Sequence, residues 1–378
     1  MVRQLTLALL LCSIPAIALA QDAGANAPAS DRVQFVAETL PASGPADDLA
    51  ASLQVQQVPP PPPPPVQAPA PATAAVPAPA LPRRRGSMVG YIEDATVGSQ
   101  VRLRYDLGFH IHVPDRAEFF YAKCGCYAGL PAGNPFVDPN APGPAPGIVS
   151  DMNFQQVYVQ AEYSGRGRVS VFGEAPIRWI QPQAFSTPDS FPNQSGFGDL
   201  MGGVKIAIIA TDMQTATVQV KGYFPTGDAA KGLGTNHTSL EPSLLLNNSF
   251  NDRVGIESEI GFWHPIGGSA KLPDTQGTNF SGDIFYYGIG PSFDVYSDRG
   301  VRFGPVVELV GWHVFSGSQT IQPGTVLDDA SGTNIVNLKI GGRVVLDKGS
   351  SVYVGWGKAL TEATWYDSIL RFEYRFAF

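Results

Sequence analysis

The chain has 378 residues, of which only 15% are charged, with 41 Gly, 34 Pro and a net charge of −8. That balance argues against a nucleic-acid binder, and three cysteines are too few for a disulfide scaffold. No interior run of 18 apolar residues exists, which excludes a helical membrane span and leaves a Gly-, Tyr- and Phe-rich, all-β reading.

Residues 1–20 read as a secretory signal. Arg3 gives the positive start, Leu5 to Ile17 the apolar stretch, and Ala18-Leu19-Ala20 the cleavage site. Cys12 follows Leu11, where a lipoprotein signal needs a small residue. Residues 21–87 are a low-complexity leader, predicted to be disordered, with seven consecutive prolines at Pro59 to Pro65 and Ala-Pro alternation up to Pro82. Fixed φ and missing amide donors favour polyproline II there. Residues 58–82 then reach about 75–80 Å. Two readings stand: a stiff periplasmic spacer that meets a partner, or a leader without one. Arg83-Arg84-Arg85 forms a basic hinge at its end.

The barrel region is read as 88–378. Val101, Leu103, Tyr105, Leu107, Phe109 and Ile111 alternate with Arg102, Arg104, Asp106, His110 and His112, a period of two sustained over a dozen residues. Soluble strands rarely run so long, whereas a strand crossing a bilayer needs about 9–11 residues, apolar outward and polar inward. Ten more strands are predicted near 153–164, 167–180, 197–210, 214–225, 236–248, 252–264, 283–296, 300–315, 333–347 and 350–360. The twelfth ends the sequence, with Phe372, Tyr374, Phe376 and Phe378 alternating with Arg371, Glu373, Arg375 and Ala377. A terminal Phe378 on such a strand resembles the signal that bacterial barrel-insertion machinery reads.

Short turns near Gly165, Asp212, Asn251, Asp298 and Gly349 alternate strictly with linkers near 114–152, 181–196, 226–235, 265–282, 316–332 and 361–367. Tight turns on one side and long loops on the other are what an outer-membrane barrel requires. The predicted fold is a closed, antiparallel, twelve-stranded transmembrane barrel, because lipid leaves no partner for an open sheet edge. Tyr105, Trp179, Phe224, Phe262, Trp356 and Phe376 fall on the apolar parity near strand ends and suit aromatic girdles. Pro242, Pro291 and Pro305 fall inside predicted strands and count against unbroken ladders there.

Phe197-Gly198-Asp199 opens one strand, Pro225-Thr226-Gly227-Asp228 closes the next, and Gly232-Leu233-Gly234-Thr235 follows. Over residues 196–268 the sequence resembles the MetA-pathway of phenol degradation family. That resemblance implies an outer-membrane barrel passing aromatic or other hydrophobic compounds.

Parity sends Arg102, Arg104, Lys339, Arg343, Arg371 and Arg375 into the lumen, relieved by Glu373, Asp106 and Asp347, and sends Glu241, Glu257 and Glu259 to the far side of the ring. A basic wall facing an acidic wall sets a transverse field across a narrow water path. The competing reading pairs these charges and plugs the tube. Cys124-Gly125-Cys126 lies in the longest external loop and admits a loop-stiffening disulfide or free or externally paired thiols. That loop reads as a lid or constriction, or as a passive surface loop. Two thiols are too few for a metal, and no cofactor is expected. Pro225 to Asp228 reads as a turn rather than a calcium loop. His313 and Ser316 invite comparison with outer-membrane phospholipase, but its His-x-Ser-Asn-Gly-Arg run is absent, so no enzyme is predicted. The expectation is an outer-membrane channel of a Gram-negative-type bacterium that contacts lipid, the insertion machinery and a small solute. The alternative is a closed structural barrel anchoring a Pro-rich interaction segment.

Overall fold

The computed structural model describes residues 86–114, 121–165, 167–266, 280–321, 324–346 and 349–378. The signal, the leader up to Arg85, and Asp347 lie outside the described residues. The chain divides into two units, residues 1–75 and 76–378, and every described residue falls in the second.

Twelve long strands close into a ring. They are β1 (Gln100–Ile111), β2 (Val149–Tyr163), β3 (Val169–Phe185), β4 (Leu200–Ala210), β5 (Gln214–Phe224) and β6 (Thr238–Ser249). The second half comprises β7 (Val254–Ile266), β8 (Ile284–Phe293), β9 (Val301–Val314), β10 (Asn334–Val345), β11 (Ser350–Ala359) and β12 (Ser368–Ala377). Each pairs antiparallel with the next, and β12 returns to β1 in the register Val101↔Phe376 through Phe109↔Ser368. Closure leaves no unpaired edge, which is the condition for a sheet surrounded by hydrocarbon. Short pieces at Gln194–Phe197 and Tyr296–Asp298 pair antiparallel with β3 and β9, and a hairpin of Ser318–Ile321 with Val326–Asp329 stands in the loop after β9.

The alternation of side chains decides what faces where. Val101, Leu103, Val352, Val354, Phe372, Tyr374 and Phe376 are exposed on the outer face, whereas Arg102, Arg104, Arg371, Glu373 and Arg375 are buried inside. Trp179, Phe224 and Trp356 also stand exposed on the outside. The expected alternation of connections holds. Turns such as 211–213 and 250–253 occupy one end, and loops such as 112–148 and 315–333 the other.

Two local departures have physical causes. The β1–β2 register shifts between Gly108 and Ile111, and His110 takes a φ of +57°. Parity therefore reverses at the end of β1. Ile111 turns inward, and His110 and His112, expected in the lumen, stand outside beside Asp151 and Asp367. The prolines sit where a neighbouring ladder lapses. The β6–β7 pairing jumps from Leu240↔His264 to Ser243↔Gly261 across Pro242, and the β8–β9 pairing lapses between Ser292 and Ile289 around Pro291. No amide donor is needed at those steps.

Candidate functional site: a lumen filled by the chain itself

The interior is built from the inward residues of all twelve strands, and it is occupied. Residues 86–99, between the leader and β1, enter from the short-turn end, rise to Tyr91–Glu93 at mid-height, and return to Ser99. There the Phe378 amide donates to the Ser99 carbonyl at 3.0 Å. Met88, Val89, Ile92 and Ala95 are buried. Met88, Val89 and Ile92 pack with Val306, Val310 and Tyr353 of the wall.

Arg102, Arg104, Asp106, Lys339, Arg343, Arg371, Glu373 and Arg375, and across the ring Glu241, Glu257 and Glu259, point inward and are buried. The two walls do not face each other across open water, because the segment lies between them. On the acidic side, Glu257 Oε1 accepts the Met88 amide at 2.6 Å, Glu259 Oε2 accepts the Glu93 amide at 2.9 Å, and Glu241 pairs with Lys221 at 3.0 Å. On the basic side, every arginine has a carboxylate partner. Arg102 holds Glu93 at 3.0 Å and Glu174 at 3.3 Å, and Arg104 holds Glu174 at 3.1 Å. Arg343 holds Glu373 at 2.6 Å, Arg371 holds Asp106 at 2.7 Å, and Arg375 holds Asp94 at 3.2 Å. Lys339 donates to the Tyr366 hydroxyl at 2.6 Å and lies over the Tyr91 ring. Buried charges persist only when paired in this way. Sequence reasoning found these side chains but missed Glu308, Glu174 and residues 88–95. The legible signal was Met88-Val89-Gly90-Tyr91-Ile92, an apolar run without alternation just before β1.

Above the segment remain three small cavities, of about 100, 140 and 160 Å³, that share wall residues. Tyr91 floors two of them, Tyr223 and Tyr286 each border two, and Trp312 closes one side. Glu241, Glu259, Lys339 and Arg371 supply charge. The space is aromatic-walled with ionic corners.

The long-loop end is built by packing. Cys124 and Cys126 are bonded to each other, and Tyr127 of the same loop reaches Thr320 at 2.8 Å, tying the loop after β1 to the loop after β9. Tyr121 and Leu233 pack on Ile111, Met152 and Ile180. Phe197 is exposed, Gly198 donates its amide to the Pro176 carbonyl, and Asp199 is buried. Asp199 accepts the amides of Gly227 at 2.9 Å and Thr235 at 2.8 Å, and the Thr235 hydroxyl at 2.9 Å. Thr226 Oγ1 accepts the Leu200 amide, Pro225 precedes it, and Asp228 pairs with Lys231. The motif therefore fixes the loop after β5. Burial holds the His237 imidazole in that loop below its ordinary pKa, so it is neutral at pH 7. His313 lies 2.7 Å from Asn334, while Ser316 Oγ accepts the Asp283 amide.

No protein-family model and no curated protein matches the chain. Among solved structures, it is similar to an outer membrane channel from Pseudomonas putida F1, at 13% identity and a TM-score of 0.45, over 77% of this chain and 99% of that one. It is also similar to the NanC porin, at 9% and 0.39 over 74% and 99%, and to the Pseudomonas putida toluene transporter TodX, at 10% and 0.34 over 74% and 88%. At such identities the likeness is one of fold, and nothing about this chain's solute follows from it.

Proposed function

We propose that this chain is an outer-membrane channel of a Gram-negative-type bacterium for passive passage of small molecules. It is inserted after removal of residues 1–20, with residues 21–87 on the periplasmic side together with the short turns. The observation that carries the reading is the division of the ring: apolar side chains stand exposed outside, and paired charges with small cavities lie inside. Hydrocarbon outside and hydrated charge inside is the arrangement a lipid-embedded tube needs. Aromatic walls and the Phe197–Thr235 resemblance favour aromatic or hydrophobic solutes. The reading involves no covalent step, metal or cofactor.

A second reading draws on residues 86–99 filling the lumen: a closed barrel that anchors the Pro-rich leader for a periplasmic partner. Flux separates the two. In liposome-swelling assays with small aromatic acids, alcohols and sugars, the channel reading expects swelling above protein-free vesicles, fastest for the aromatic solutes. Swelling at the protein-free rate for every solute, from vesicles shown to hold folded barrel, would overturn it.

A further inference from the structure

The lumen wall grips residues 88–95 by their main chain. Glu257 accepts the amides of Met88 and Val89, and Glu308 accepts those of Gly90, Tyr91 and Ile92 at 2.8–3.0 Å. Arginines take the carbonyls: Arg343 those of Met88 and Val89, Arg375 that of Val89, and Arg371 that of Gly90. Lys205 and Thr217 hold the carbonyls of Asp94 and Ala95 on the returning limb. The side chains are accommodated by omission. A Cβ on Gly288 would stand 2.8 Å from Ile92, and one on Gly290 would stand 2.7 Å from Val89. Main-chain bonds for affinity and fitted hollows for selectivity are the two halves of extended-peptide recognition.

Three further features make the segment a ligand rather than a strand of the wall. Residues 86–98 make no backbone–backbone hydrogen bond among the described residues. Their one covalent tie to the wall is the chain's own continuation through Ser99 into β1, and both limbs lie at the short-turn end. Each main-chain bond to the wall is made to a charged or hydroxyl side chain that water can serve when the segment departs, and the Tyr91 hydroxyl adds one bond to the Gly355 carbonyl, so exchange costs far less than the number of bonds suggests.

We propose that the lumen wall is a receptor for an extended peptide, filled by residues 86–98 as a displaceable ligand whose withdrawal through the short-turn end opens the tube. Only the opening rests on the channel reading; the receptor does not.

The test uses the chain of residues 21–378, which lacks Cys12, carrying Val89→Cys in detergent micelles, with Cys124 and Cys126 bonded to each other, and a charged maleimide as probe. Val89 is fully buried in the filled lumen, so labelling reports departure of the segment. Labelling is expected while the barrel keeps its heat-modifiable migration. The rate should rise at least about tenfold with Glu308→Gln, which weakens three amide contacts. It should also rise with Gly290→Val, which crowds Val89 and the Glu308 stem without removing a charge, and with excess free peptide of residues 86–98 competing for the wall. A cysteine that reacts only once the barrel unfolds, unmoved by peptide and by either variant, overturns the receptor. Planar-bilayer current from the same variants judges the channel separately. Labelling that rises with no current keeps the receptor and removes the channel, whereas current with fixed labelling does the reverse.

Discussion

Asp199 shows how much one carboxylate can organise. It is buried, and its two oxygens take three donors from Gly227 and Thr235, across 28 and 36 residues of sequence. Gly227 and Gly234 leave the room for that approach, since a Cβ on Gly234 would meet Asp199 Oδ1 at 2.5 Å. Asp199→Ala strands the two amides, while the Thr235 hydroxyl keeps the His237 carbonyl as acceptor. A loss of roughly 2–4 kcal/mol of local stability is expected. Faster proteolysis between residues 225 and 237, with barrel migration retained, is the measurement. The spacing of the Phe-Gly-Asp and Pro-Thr-Gly-Asp runs was legible in the sequence. That they form one knot was not, because a hydrogen bond between loops has no period.

At the level of the strand, two-residue alternation sets orientation with little help from elsewhere. Ile340 at the middle of β10 is exposed, and its neighbour Lys339 is fully buried. Arginine at position 340 would stand in hydrocarbon. Ile340→Arg is expected to cost about 2–4 kcal/mol in urea titrations of the barrel folded into vesicles. An unchanged midpoint would remove the membrane from the outer face. Where the alternation misleads, at His110 and His112, a register shift intervenes. A bulge moves every later side chain to the opposite face, and its position depends on the partner strand as much as on the bulged one.

For the molecule as a whole, the lumen works as a network. Arg102 and Arg104 share Glu174, and Arg102 also holds Glu93 of the inserted segment. Reversing both arginines to glutamate places like charges against Glu93 and Glu174. The expected result is a reversal potential shifted toward cations in planar-bilayer recordings under a salt gradient, together with a higher mean current as the segment loosens. Identical selectivity in the double variant would remove Arg102 and Arg104 from the path of the ions.

By itself, the sequence determined the strand count, the alternation of turns and loops, and, short of the shift that ends β1, which strand side chains face inward. Each of these follows from period two and from turn chemistry, interactions between residues close along the chain. Only the tertiary structure decided what fills the tube. The main-chain bonds that seat residues 88–95 join positions 111 to 286 apart in sequence. They are made by main-chain groups that every residue carries, so no side-chain pattern announces them. Closing the ring brings Glu257, Glu308, Arg343 and Arg371 around one axis, and that convergence turns an unremarkable stretch before β1 into the occupant of the lumen.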